Sequence, residues 1–163
     1  MKNKDEEYRE IFLAEALEHY EEINRLLTVL EKNTGEKKTI HALFRITHTL
    51  KGNAAGMGFT GIAEIAHVLE DLFGEVRENK VVMDEQIFSS VYKAVDTLGK
   101  LISAVRDNRE VRYKGIKTKI EVLIKRSTAG SSVPVLADEA ATPDFSMAPE
   151  PVKPVENNPP QET

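Results

Sequence analysis

Apolar residues recur every three or four positions through most of this chain, and the recurrence divides it into five segments. In the first, Tyr8, Ile11, Phe12, Ala16, Tyr20, Ile23, Leu26, Leu27 and Leu30 form one stripe, while Glu7, Glu10, Glu15, Glu18, Glu21 and Glu22 fill the other faces. That spacing predicts an amphipathic helix, stopped at Asn33-Thr34-Gly35. A second helix is predicted over about Lys37 to Ala55, with Ile40, Leu43, Phe44, Thr47, Leu50 and Ala54 facing inward. Gly56, Gly58 and Gly61 then mark a tight helix–helix turn. Thr60 is the expected N-cap of a third helix that buries Ile62, Ile65, Ala66, Leu69, Leu72, Phe73 and Val76. Asp84 is expected to cap a fourth, burying Ile87, Phe88, Val91, Ala94, Val95, Leu98, Leu101 and Ile102. A shorter fifth pattern, about Gly115 to Lys125, puts Ile116, Ile120, Leu123 and Ile124 on one side. No strand-like alternation interrupts residues 1–126. Helices joined by short loops pack as antiparallel neighbours, so the expected fold is all-α: an up-down antiparallel four-helix bundle plus a fifth helix.

Composition changes sharply after the fifth pattern. All seven prolines fall at or after Pro134, so nothing earlier breaks a helix by ring geometry. Up to Arg126 the acidic and basic residues cancel. From Ser127 onward Lys153 stands against Asp138, Glu139, Asp144, Glu150, Glu156 and Glu162, so the whole net charge of −5 lies there. A segment rich in Pro, Ala, Glu and Ser buries too little apolar surface to offset its ordering entropy. The expected organisation is a folded domain over 1–126 and a disordered, acidic, Pro-rich linker over 127–163. The electrically neutral folded part has no footprint for nucleic acid. The absence of cysteine excludes a disulfide scaffold, a thiolate metal site and a cysteine nucleophile. With no membrane-length apolar run and no signal-peptide pattern at Met1, the chain is read as cytoplasmic, with no membrane partner, and as a monomer when isolated.

Four histidines offer the only distinctive chemistry. His19 and His41 read as ordinary half-buried or solvated helix residues. His48 differs because of its surroundings, Phe44-Arg-Ile-Thr-His48-Thr-Leu-Lys51-Gly52-Asn-Ala-Ala-Gly56-Met-Gly58-Phe59. At about 100° per residue it lies roughly 130° from the centre of its helix's apolar stripe, which points its imidazole to solvent. Lys51 places a mobile cation beside the ring, suited to an anion such as phosphoryl. Gly52 within a helix costs about 1 kcal/mol relative to Ala. That cost is understandable if a partner must approach closely there, or if Gly52 and Gly56 let helices pack closely. On the third helix His67 and Glu70 stand at i, i+3, with Glu70 roughly 100° off the apolar centre, at the edge of the core. In an antiparallel hairpin Glu70 can come near His48. A carboxylate accepting from Nδ1–H would fix the tautomer and leave Nε2 as nucleophile.

His48-Thr-Leu-Lys51-Gly52, followed by Gly56-Met-Gly58-Phe59 and Ala66-His67-Val-Leu69-Glu70, resembles the histidine phosphotransfer domain of CheA-type chemotaxis histidine kinases over about residues 5 to 106. The resemblance implies a helical bundle whose exposed His48 accepts phosphoryl on Nε2 from the kinase's ATP-binding domain. His48 would then pass it to an aspartate of response regulators of the CheY and CheB kinds. Lys51, His67 and Glu70 stand where the family places a hydrogen-bonded cluster around that histidine, and Gly52 matches the small residue that leaves the site open. Asn53 departs from the small or apolar residue expected at its position. This chain has no Gly-rich nucleotide segment and no ligands for Mg-ATP. It is therefore expected to be a phosphocarrier with no cofactor of its own, ATP and Mg being held by the kinase domain, and to form the N-terminal part of such a kinase.

Two other readings fit part of the pattern. A freestanding phosphotransfer protein of a multistep phosphorelay would carry the same His48. A metal-binding four-helix bundle would use Glu64-Ile-Ala-His67 as a Glu-x-x-His motif. It needs two copies, however, and Glu64 lies roughly 140° from its helix's apolar centre. The basic flank of the fifth segment, including Lys114, Lys117, Lys119 and Lys125, reads as a solvated face.

Overall fold

The computed structural model describes residues 3–129, and these contain five helices and no strand. They are α1 (Lys4–Lys32), α2 (Lys37–Gly56), α3 (Thr60–Arg77), α4 (Glu85–Asp107) and α5 (Lys114–Ala129). Helices α1 and α2, α2 and α3, α3 and α4, and α4 and α1 pack as neighbours, which closes a four-helix bundle. Short connections at 33–36, 57–59 and 78–84 force neighbours to run antiparallel. No helix among the described residues is long and apolar enough to cross a membrane.

The core is assembled from the stripes named above. Ile23, Leu27, Leu30, Leu43, Leu50, Ile65, Leu69, Phe73 and Leu98 are fully enclosed. Each such side chain contributes about 1.5–3 kcal/mol through removal from water. Thr47, also enclosed, turns its hydroxyl back to the Leu43 carbonyl at 2.8 Å, which satisfies it inside apolar surroundings.

The α2–α3 turn sets the geometry of everything that follows. Gly58 adopts φ +78°, a left-handed conformation that suits glycine. The Phe59 amide donates to the Ala54 carbonyl at 2.9 Å, and the Gly58 amide to Ala55 at 3.1 Å. This pair of bonds is the Schellman arrangement that closes a helix C-terminus. The chain re-enters a helix at once, so Thr60 is the first residue of α3 rather than its cap; Phe59 occupies the cap position, with no side-chain bond. Asp84 does cap α4, accepting from the Ile87 amide at 2.9 Å.

Two apolar residues of the α1 stripe fall outside the core: Tyr8 is 59% and Ile11 57% exposed. Phe12 meets Phe59 with ring centroids 4.9 Å apart, and the core ends at that contact. Tyr8 lies one turn further out, and Ile11 points about 100° round from Phe12. Leu13, absent from the stripe, is buried instead.

Helix α5 continues through Ser127, Thr128 and Ala129, past the expected boundary at Arg126. The Pro-rich linker otherwise falls outside the described residues. Ile120 and Leu123 are buried, with Ile116 and Ile124 packed at the margin. A polar seam completes the attachment: the Tyr113 hydroxyl donates to Glu64, and Lys117 Nζ lies 3.6 Å from the same carboxylate. Lys117 is thus half-buried, unlike the solvated face expected for it.

Candidate functional site

The antiparallel register of α2 and α3 sets Phe44 beside Gly74 and His48 beside Glu70. Both sites lie on the outer side of the hairpin, because Leu43, Thr47 and Leu50 of α2 and Ile65, Leu69 and Phe73 of α3 occupy the inner side.

His48 Nδ1 lies 2.8 Å from Glu70 Oε1. The imidazole side chain is 62% exposed, whereas the Glu70 side chain is 10% exposed. Lys51, on the same helix as His48, brings Nζ within 2.7 Å of Glu70 Oε2. This contact is an ion pair, for Oε2 is enclosed and has no aligned hydrogen bond. Burial pushes the Glu70 carboxyl up, but the contacts from Lys51 and His48 outweigh it and hold the group below the ordinary glutamate value. Glu70 is therefore ionised at neutral pH. An ionised carboxylate only accepts hydrogen bonds, so Nδ1 carries the proton and Nε2 of the neutral ring keeps its lone pair.

His67 stands apart from this cluster. Its Nε2 faces Asp71 Oδ2 at 3.5 Å along the same helix, and both side chains are more than half exposed. Glu70 turns under α2 while His67, one turn earlier on α3, turns to solvent. Burial raises the Asp71 carboxyl, an effect that His67 offsets and Glu70 reinforces. The structure thus joins His48, Lys51 and Glu70 and leaves His67 on the rim of a shallow groove of about 410 Å³, which Lys51, Gly52, Ala55 and Ala63 also line.

Gly52 opens onto that groove. A Cβ built at Gly52, or at Gly56, meets no atom within 4 Å. Close helix packing therefore accounts for neither glycine, and at Gly52 the backbone beside the histidine is left uncovered. Asn53 is half-buried next to it.

Among the described residues, no group of three or more His, Asp or Glu side chains could hold a metal ion. Glu64 is taken up by Tyr113 and Lys117 and turns toward α5 rather than the bundle interior. His41 is exposed and His19 half-buried. The Glu64–Tyr113 link spans 49 positions, and no local pattern in the sequence signals it.

Residues 7–108 match the model of the Hpt domain family. The chemotaxis protein CheA of Bacillus subtilis (strain 168) is 27% identical over 139 residues, which cover 83% of this chain and 21% of that protein. The chain thus spans about a fifth of the length of this curated relative. Among solved structures, the CheA phosphotransferase domain from Thermotoga maritima is 30% identical with a TM-score of 0.58, covering 61% of this chain and 94% of that one. The phosphorylated P1 domain of CheA3 in complex with CheY6 from R. sphaeroides is 26% identical with a TM-score of 0.66, covering 74% and 98%. With its helical bundle and its histidine on the open side of the α2–α3 hairpin, the chain belongs to the Hpt domain family.

Proposed function

We propose that His48 is the phosphoacceptor of a chemotaxis phosphotransfer domain. It takes phosphoryl from ATP bound to a CheA-type kinase domain and passes it to an aspartate of a response regulator of the CheY or CheB kind. The observation that carries this reading is the exposed imidazole whose Nδ1 is held at 2.8 Å by a buried, ionised carboxylate.

The chemistry follows from that pairing. The Nε2 lone pair attacks the γ-phosphorus, the P–Nε2 bond forms, and ADP leaves with the electrons of the broken P–O bond. The ring gains positive charge as it attacks, and the Nδ1–H···Glu70 bond stabilises that charge in partly desolvated surroundings. Lys51 keeps Glu70 ionised and adds a cation next to the incoming phosphoryl. In the second step a regulator carboxylate oxygen attacks phosphorus, the P–N bond breaks, and its electrons return to the ring. Nδ1 keeps its proton throughout, donated in the hydrogen bond to Glu70, so the ring is regenerated in its starting tautomer. The opening at Gly52 lets a partner's backbone approach. Mg-ATP belongs to the kinase domain, and the segment after the fifth helix acts as a linker toward a regulator-binding domain. The domain acts as a monomer.

The relatives named above are CheA proteins and domains, which favours the kinase-linked form over a freestanding relay protein. The test is transfer from labelled ATP by a CheA-type kinase core that lacks its own phosphotransfer domain. Acid-labile, base-stable label is expected on the wild type and none on His48→Gln. A wild type that takes no label overturns the proposal.

A further inference from the structure

The hydrogen bond to Glu70 fixes one atom of the His48 ring and says nothing about its plane. An imidazole tethered only at Nδ1 can rock about the axis through that contact, and each rock swings Nε2 away from any line of attack. With the ring 62% exposed, core packing does not hold it.

One ring lies beside it. Phe44 lies one helical turn before His48, and the two rings are near parallel, 17° between planes with centroids 6.5 Å apart. That separation lies within the offset-stacking range, and i, i+4 is the spacing at which helix side chains meet. Phe44 is itself held from α3. Gly74 supplies the notch that receives it: a Cβ at Gly74 would lie 3.3 Å from Phe44 Cε2. One turn on, the Arg77 guanidinium sits over the Phe44 ring, 4.2 Å from its centroid, a cation–π contact. Gly74, in the last turn of α3, is a helix glycine at which something does approach, in contrast to the open space around Gly52.

We propose that Phe44, seated against Gly74 under Arg77, is a positioning residue that sets the plane of the His48 imidazole and thereby aims Nε2 at phosphorus. The inference rests on His48 being the phosphoacceptor. Glu70 and Phe44 then divide the task between them: Glu70 fixes the tautomer and one atom, and Phe44 fixes the plane. Misaimed attack lowers the rate within the docked complex and leaves docking itself unchanged.

The test uses the whole chain as substrate for a CheA-type kinase core, comparing wild type, Phe44→Leu and Phe44→Tyr. Leucine keeps apolar volume at a half-buried position and removes the ring; tyrosine keeps the ring. For Phe44→Leu, kcat is expected to fall about three- to tenfold, the size of an aromatic pair contact, with KM unchanged and helicity by circular dichroism retained. Phe44→Tyr is expected to recover most of the wild-type kcat. Gly74→Ala is the second variant: alanine favours the helix but pushes the Phe44 ring, so kcat falls while thermal stability holds or rises. Equal kcat for wild type and Phe44→Leu overturns the proposal. So does a rise in KM at constant kcat, which makes Phe44 a docking contact. Failure of the wild type to take label at all is a different result, and it overturns the phosphoacceptor reading of His48 itself.

Discussion

Two histidine–carboxylate pairs lie within one turn of each other on this hairpin, and they differ in almost every physical respect. His48 and Glu70 meet between helices at 2.8 Å, with the carboxylate enclosed and backed by Lys51. His67 and Asp71 meet along one helix at 3.5 Å, with both side chains little more than half exposed. Exposed pairs of the second kind are worth about 0–1 kcal/mol and are screened by salt. The first kind fixes a proton on a chosen nitrogen, because its acceptor has no water to turn to. The two carboxyls even move in opposite directions: Lys51 and His48 hold Glu70 down against its burial, and burial pushes Asp71 up. Both histidines are exposed, so under the proposed function it is the place of the carboxylate that separates them.

Replacing members of the two pairs tests that contrast. His48→Gln is expected to abolish phosphorylation with no loss of helicity, while His67→Gln keeps the rate within about threefold, as befits an exposed pair. Label on His48→Gln breaks the contrast. Glu70→Ala is expected to slow phosphorylation by about 100-fold, the lower end of the range for a positioned acid–base group. Asp71→Ala changes it less than twofold. Equal effects from the two alanines, measured side by side in initial rates, contradict the distinction between a buried and an exposed carboxylate.

Stability against pH sharpens the same comparison. A carboxyl held below its unfolded value stabilises the fold above that value and loses its contribution as pH falls through the native one. The stability advantage of wild type over Glu70→Gln should therefore be full above about pH 4.3 and shrink below it. Asp71, raised, has the opposite sign: the native state binds its proton more readily, so ionising Asp71 costs stability once pH rises past about 3.9. Chemical denaturation from pH 3 to 7 reads both. A Glu70 advantage that grows on acidification contradicts the ion pair with Lys51.

Smaller effects follow at the margins of the site. Gly52→Ala, with open space for its methyl, is expected to stabilise the domain by up to about 1 kcal/mol and to slow transfer to a docked partner about twofold. A destabilised variant in thermal unfolding counts against an open backbone there. Deletion of residues 130–163 is expected to leave the thermal midpoint within error, because that Pro-rich, acidic composition buries little apolar surface. A midpoint several degrees lower shows that the tail packs on the bundle.

Much of this was legible in the residues because it depends on local periodicity. The helix stripes, the outward aim of His48 and the edge position of Glu70 each follow from 100° per residue. The approach of Glu70 to His48 follows from one turn at Gly58. Features that depend on how elements dock were hidden. Thr60 looked like a cap, yet the Schellman turn left it no capping place. His67 shares a stripe with Glu70 but turns away, because only Glu70 has α2 above it. Lys117 counted as part of a solvated face until Glu64, 53 positions away, received it. Phe44 is half-buried against the core, as its place in the stripe predicts, but its contacts with Gly74 and Arg77 come from α3 and leave no trace in the local spacing.

The site's geometry makes its most direct commitment at a single nitrogen. Phosphorylated protein with 15N-labelled histidine can be examined by 31P and 15N NMR, with the unphosphorylated protein as reference. The expected spectra show His48 protonated at Nδ1 before reaction and phosphorus coupled to its Nε2 afterwards, with Nδ1–H retained. Coupling to Nδ1, or phosphorus on His67, would contradict a ring held by Glu70 with Nε2 free to react.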